Sequence, residues 1–182
     1  MIQVYDDFID SKYADEIDNL FQSAEFPWYF QKNITNYQDT MDKKTYGFTH
    51  NFIADGKINS EFLDFFSPFL FSIKNIVGVS NIARMRGDMT TQTDKVHKHV
   101  AHVDSHDPHY ASIYYVNDSD GDTVFYNEKF NNKEIPKEFT IYKTVSPKKN
   151  RLVVFDGSIY HTGHSPNNTP VRIIININML KE

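Results

Sequence analysis

His102-Val103-Asp104 is the sole His-x-Asp or His-x-Glu in a chain that carries eight histidines. In an extended segment residues two apart point the same way, so this spacing offers one imidazole and one carboxylate to a single ion. Five of the histidines, His97, His99, His102, His106 and His109, crowd into one short stretch. Strand parity puts Lys98, Val100, His102 and Asp104 on one face and His97, His99, Ala101 and Val103 on the other, which keeps His97 and His99 off an ion held by His102. A third ligand is offered by His161, in Phe155-Asp156-Gly157-Ser158-Ile159-Tyr160-His161-Thr162-Gly163, where a strand runs into a turn. His164 competes for that role, but it stands after Gly163 and before Ser165-Pro166-Asn167-Asn168, which reads as loop, and His161 is preferred. Two imidazoles and one carboxylate on one side of a coordination sphere suit Fe(II) and leave positions open opposite. A three-ligand site with an open position also describes zinc, although no His-Glu-x-x-His helix or evident general base accompanies this one. The chain has no cysteine, which excludes both a disulfide scaffold and a thiolate metal site.

Arg172 lies 11 residues beyond His161. In the segment 171–179, Val171, Ile173, Ile175, Ile177 and Met179 share one face, and Arg172, Ile174, Asn176 and Asn178 share the other. The first face wants an apolar cover. On the second, a buried guanidinium needs an anionic partner, which a dicarboxylate supplies in bidentate fashion. The alternatives are pairing with an internal Asp or Glu, or exposure to solvent. Arg84 and Arg86, on the segment before the His-x-Asp pair, also share a face and either point into the site or form a solvated pair.

The elements that must hold these residues change character along the chain. Residues 11–22 place Tyr13, Ile17, Leu20 and Phe21 at helical spacing behind Ser11 as cap. Asn59-Ser60 opens a second amphipathic segment, 61–76, with Phe62, Phe65, Phe66, Phe69, Leu70 and Ile73 on one side. Residues 31–58 between them read as irregular chain with at most short strands. From residue 81 onward seven short runs, IARMRGDM, VHKHVAHVD, YASIYYVN, DTVFYN, EFTIYKTV, RLVVFDG and VRIIININM, predict a mainly β fold, a sandwich or barrel-like roll with the helices packed on one sheet. A length of 182 residues suits a single domain over 1–182, with 1–80 as helix-bearing cover and 81–180 as core. The polar stretches 37–50 and 127–139 are expected to border the entrance to the site. A formal charge of −5 makes nucleic acid a poor partner. The first residues carry no signal-peptide pattern, and no run is apolar enough to span a bilayer, so a cytoplasmic protein is expected.

The order His102-Val103-Asp104, Ile113-Tyr114-Tyr115-Val116-Asn117, Asp120-Gly121-Asp122-Thr123-Val124-Phe125, His161 and Arg172 resembles the prolyl-4-hydroxylase-like branch of the Fe(II)/2-oxoglutarate oxygenases, over about residues 81 to 179. The resemblance implies a double-stranded β-helix, a jelly roll with iron at its mouth. It carries His102, Asp104 and His161 over as iron ligands and Arg172 as the partner of the distal 2-oxoglutarate carboxylate. Tyr115 resembles a tyrosine that hydrogen-bonds the same carboxylate, although Tyr114 faces the other way and one register slip would exchange the two. The implied cofactors are Fe(II), 2-oxoglutarate as cosubstrate and ascorbate. The implied reaction couples decarboxylation of 2-oxoglutarate to succinate with O2-dependent hydroxylation of a C–H bond in a small molecule, peptide or protein, peptidyl proline being the family-weighted substrate. Asn178 stands where the alkylated-base demethylases carry a second Arg, which again disfavours nucleic acid. Two other classes stay open at this stage. One is a cupin-like metal-dependent isomerase or dioxygenase that does not use 2-oxoglutarate, and Arg172 argues against it. The other is a non-catalytic jelly roll that binds a protein or sugar, and the intact triad argues against that.

Overall fold

Asp10, rather than Ser11, caps the first helix: its carboxylate accepts from the backbone N–H groups of Lys12 and Tyr13, and α1 (Ser11–Gln22) follows, burying Ala14, Ile17 and Phe21. The computed structural model describes residues 1–34, 46–95, 97–131 and 134–181. The second predicted helix is divided. Ser60 accepts from Phe62 N–H to open a 3-10 helix, Glu61–Phe66, and a separate α2 (Ser67–Val77) begins with Pro68 in its first turn. Proline lacks the N–H that a continuing helix needs but fits a helix start, so the break falls there.

The strands are β1 (Ile2–Tyr5), β2 (Tyr29–Gln31), β3 (Gly47–Ala54), β4 (Lys57–Ile58), β5 (Ile82–Thr91), β6 (His97–Lys98), β7 (His109–Tyr115), β8 (Thr123–Lys129), β9 (Ile141–Val145), β10 (Arg151–Asp156), β11 (Ile159–Ser165) and β12 (Val171–Leu180). They form two antiparallel sheets. The larger runs β1-β10-β7-β12-β5-β3-β2 with β4 beside β3, and the smaller runs β6-β11-β8-β9. Two sheets of this kind face to face are the jelly roll that the sequence predicts.

Side-chain alternation on β12 sorts the two cores. Ile173, Ile175, Ile177 and Met179 pack with Ile17, Phe21, Phe66, Phe69 and Ile73 of the helices. Ile174, on the opposite face, packs with Ile113, Phe125, Val153 and Phe155 between the sheets. Burying each such side chain contributes about 1.5–3 kcal/mol. The helical cover is therefore an apolar lid on one side of the large sheet, which frees the other side to line a cavity.

Three segments differ from the sequence reading. Residues 47–54, expected as irregular chain, form the eight-residue β3, in which Gly47, Thr49, His50, Phe52 and Ile53 are all buried. Burial on both faces removes the polar–apolar alternation that marks a strand, and the polar His50 is tolerated because its ring bonds Pro27 O at 2.8 Å and Ser60 Oγ at 2.7 Å. The run 96–104 is no continuous strand: His97–Lys98 pairs with β11, and His102 then bridges His161 in isolation. Residues 157–158 make the turn expected near His161, but His161 and His164 both lie within β11, so His164 is buried in a sheet and not in a loop. Of the two stretches expected at the entrance, 37–50 lies outside the described residues over 37–45 and belongs to β3 over 47–50, while Phe130, Ile135 and Phe139 of 127–139 line a cleft that also holds His102 and Asp104.

Asp120 braces the turn that leads into β12. Its carboxylate accepts from the backbone N–H groups of Asn167, Asn168 and Thr169 and from the Thr169 hydroxyl. Burial pushes this carboxyl up, but those donors outweigh it and hold it at about 2 against an ordinary 3.8. A folded-state value below the unfolded one gives stability that is complete above pH 3.8 and is lost as pH falls toward 2. Thermal unfolding followed across that range is expected to fall more steeply for the native chain than for Asp120→Ala. Equal slopes would remove Asp120 as the acid-sensitive brace.

Candidate active site

His102, Asp104 and His161 meet at one end of the roll. Their ligand atoms all lie within 4.8 Å of one another, with His102 Nε2 3.9 Å from Asp104 Oδ1 and His161 Nε2 3.8 Å from Asp104 Oδ2. The reciprocal backbone bonds His102 N–H to His161 O and His161 N–H to His102 O, both 2.9 Å, set the two imidazoles side by side. Each ring has its Nδ1 against a carbonyl two residues upstream, Val100 O at 3.0 Å and Ile159 O at 3.2 Å. Nδ1–H donation there leaves both Nε2 lone pairs free toward the shared centre. Burial, helped by His102 and opposed by Asp104, pulls the His161 pKa down to about 4, so the ring is neutral at physiological pH, as a metal ligand must be. This donor set fits Fe(II).

Asp104 is held from behind. Arg84 Nη2 donates to its Oδ1 at 2.9 Å, and the Asn176 and Asn178 amides donate to its Oδ2 at 3.1 Å each. The pairing of β12 with β5 places Asn178 opposite Arg84, and Arg84 Nη2 also donates to Asn176 Oδ1 at 3.0 Å, which turns that amide's N–H toward the carboxylate. Burial pushes the Asp104 carboxyl up, but the Arg84 guanidinium, the two imidazoles and Asn176 outweigh it and hold the group well below the usual carboxylate range. Sequence parity had put Asn176 and Asn178 on the inner face without a partner, and Asp104 is that partner. Asn178→Ala is expected to weaken Fe(II) binding by about 10–100-fold, read by anaerobic metal titration. Unchanged affinity would mean that the amide only fills space.

The cavity, about 580 Å³ with its open mouth, runs from the triad to Arg172 and is lined also by Thr123, Gly163, Ile174, His99 and His164. Arg172 is 4% exposed and forms no ion pair among the described residues. Its Nε donates to Gly121 O at 2.7 Å and its Nη2 to Thr123 Oγ1 at 2.8 Å. Burial pulls its pKa down from the ordinary 12.5, against the opposing influence of Tyr115, Asp88 and Asp122. Gly163 lies against the guanidinium, and a Cβ there would sit at ordinary contact distance, 3.4 Å, from both Nη atoms.

Tyr115 is fully buried beside Arg172, whose Cζ lies 5.6 Å from the ring centroid, whereas Tyr114 packs on the helix side and bonds Asn150. Tyr115 is not among the residues lining the cavity. Its hydroxyl donates to Thr123 Oγ1 at 2.7 Å, and Thr123 also accepts from Arg172, so both Thr123 lone pairs are used and its own proton is left for an acceptor in the cavity. Thr123 is thus a hydroxyl at the Arg172 end of the cavity. Nothing in DTVFYN marks it, because a threonine on a predicted strand reads as an ordinary sheet residue. His97 and His99 meet edge to face at 4.8 Å and are not part of the triad, and His99 turns up on the cavity wall because the chain there is not a regular strand.

A two-histidine, one-carboxylate centre inside a jelly roll, with an unpaired buried arginine across the cavity, defines an oxygenase-type metal site. The chain matches the 2OG-Fe(II) oxygenase superfamily over residues 81–180 and belongs to that family. It is therefore a 2-oxoglutarate-dependent Fe(II) oxygenase, with Fe(II) and 2-oxoglutarate as its cofactors. Among solved structures it is similar to a Trichoplax adhaerens prolyl hydroxylase in complex with a hypoxia inducible factor peptide fragment, with TM-score 0.66 and 11% identity over 98% of this chain and 83% of that one. A Pseudomonas putida prolyl-4-hydroxylase matches with TM-score 0.60 and 14% identity over 100% and 92% of the two chains. HygX from Streptomyces hygroscopicus, bound to nickel, 2-oxoglutarate and hygromycin B, matches with TM-score 0.62 and 11% identity over 97% and 81%. These likenesses share the fold. No curated protein matches the chain by sequence. Among the described residues no helix is long and apolar enough to cross a membrane.

Proposed function

We propose that His102, Asp104 and His161 hold the iron of this oxygenase and that Arg172 and Thr123 hold the distal carboxylate of 2-oxoglutarate, with Tyr115 fixing the Thr123 hydroxyl. The observation that carries this reading is Arg172, a buried guanidinium with no carboxylate partner among the described residues, across one cavity from the triad. Bound iron with 2-oxoglutarate and O2 supplies the oxidising chemistry. The chain's part is positional. Arg84, Asn176 and Asn178 keep the Asp104 carboxylate aimed at the centre, the carbonyls of Val100 and Ile159 keep both imidazoles in the ligating tautomer, and the apolar Ile113 and Ile174 limit water in the cavity. Residues 1–182 are proposed to work as one unit, with 1–80 as cover, in the cytoplasm, where a chain free of cysteine is indifferent to redox poise. Peptidyl proline is a candidate substrate on the strength of the two prolyl hydroxylase neighbours.

Anaerobic titration with Fe(II) and then 2-oxoglutarate tests the site, followed by succinate release on admitting oxygen, with and without prolyl peptides. An iron-loaded protein with no affinity for 2-oxoglutarate would sink the assignment of Arg172. Succinate release that no peptide stimulates would remove peptidyl proline.

A further inference from the structure

Beside the metal cavity opens a wider cleft that shares Arg86, His102 and Asp104 with it. One wall is apolar, formed by Phe130, whose ring stacks on His106 at 4.3 Å, by Phe139, 5.1 Å from the Tyr160 ring, and by Ile135. Arg84 and Arg86 of β5 line the same cleft. Arg84 is committed to Asp104 and Asn176. Arg86 is ion-paired through its Nε alone, 2.7 Å from Asp88 Oδ1, and its two Nη groups make no hydrogen bond among the described residues. An arginine fork so placed has donors to spare for a planar oxyanion.

Charge balance points the same way. With Fe(II) and the 2-oxoglutarate dianion bound, two charges on iron and one each on Arg84, Arg86 and Arg172 face two on the cosubstrate and one each on Asp88 and Asp104. One positive charge is left over. The Arg86–Asp88 pair is neutral by itself, so the surplus lies at the iron end of the cavity that Arg86 also lines. A monoanionic substrate would cancel that surplus, whereas a neutral one would leave it in place.

We propose, resting on the oxygenase reading above, that the substrate is a small monoanionic carboxylic acid, its carboxylate on Arg86 and its apolar body against Phe130, Phe139 and Ile135. Phenylacetate and hexanoate, each set against its neutral amide, are the probes, with calorimetric binding to the anaerobic Fe(II)- and 2-oxoglutarate-loaded protein as the readout. The acids are expected to bind at least about tenfold tighter than the amides, since loss of one charged hydrogen-bonded contact costs on this scale. Arg86→Gln is expected to erase the difference while leaving 2-oxoglutarate affinity unchanged, and Arg86→Lys, which keeps the charge, to preserve part of it. Equal binding of acid and amide, or binding of neither, overturns the proposal. So does a preference that survives Arg86→Gln, or an Arg86→Gln protein that loses 2-oxoglutarate, because Arg86 would then serve the cosubstrate. Failure of the oxygenase reading itself appears earlier and separately, as absent 2-oxoglutarate binding by the unmodified protein before any probe is added.

Discussion

Asp104→Ala is expected to lose both Fe(II) binding and fold stability, and the two losses have different origins. The metal loss follows from removing one of three ligands, so affinity should fall by more than the about 10–100-fold that an outer hydrogen-bond partner costs. The stability loss follows from what Asp104 leaves behind. Arg84 loses its anion, and the Asn176 and Asn178 amides lose their acceptor, in a pocket where the Asp104 side chain is 6% exposed. Breaking a buried charge pair costs about 3–5 kcal/mol, and the Arg84 side chain is 26% exposed, so water softens the penalty toward the lower end. His161→Ala separates the two effects: it should abolish iron binding comparably but orphan no charge. Metal-free unfolding midpoints for the two variants check this, with Asp104→Ala expected to be the lower. A stable Asp104→Ala protein would mean that Arg84 finds solvent or another acceptor, and that the carboxylate is not the anchor of this network.

Much of this arrangement is legible in the sequence because alternation on one strand carries it. Val171 to Leu180 alternates between the helices and the inner face, which puts Arg172, Asn176 and Asn178 on the inner face by parity alone. The same parity separates Tyr114 from Tyr115, which the structure places in different cores. Parity fails where the chain is not a strand. Continuous extension through 96–104 would set His99 opposite His102, yet only His97–Lys98 and the single His102 bridge pair with β11. His99 therefore reaches the cavity wall. His164 was read as loop because Gly163, Ser165 and Pro166 surround it, but β11 pairs with both β6 and β8, and polar residues inside a two-sided ladder look like a turn from sequence alone. Thr123 and Arg86 were missed or left open for a related reason. Their roles depend on which donors and acceptors remain unused after folding, and that is a property of the assembled site.

Arg172→Met is expected to uncouple function from stability in the opposite sense to Asp104→Ala. In the cofactor-free protein Arg172 is a buried cation with two neutral acceptors and no counter-ion among the described residues. Methionine fills similar space without desolvating a charge, and replacing buried ionic groups with apolar ones of like volume is often neutral or stabilising by about 1–4 kcal/mol. Against this stand the hydrogen bonds lost at Gly121 O and Thr123 Oγ1, about 1 kcal/mol each. The unfolding midpoint without 2-oxoglutarate should therefore not fall. Binding should suffer heavily, because truncating one partner of a buried charge pair costs about 2–5 kcal/mol, or roughly 30- to 5,000-fold in Kd. A ligand that binds only the folded state raises stability with its concentration relative to Kd, so the two effects can be read in one experiment. Saturating 2-oxoglutarate should raise the midpoint of the iron-loaded native chain and leave the methionine variant nearly unmoved. A full-sized shift in Arg172→Met would place the distal carboxylate elsewhere in the cavity. A large drop in the unliganded midpoint would instead make Arg172 a structural tie between Gly121 and Thr123. The pairing of a steady unliganded fold with a lost ligand response is what a residue held in reserve for an anion predicts.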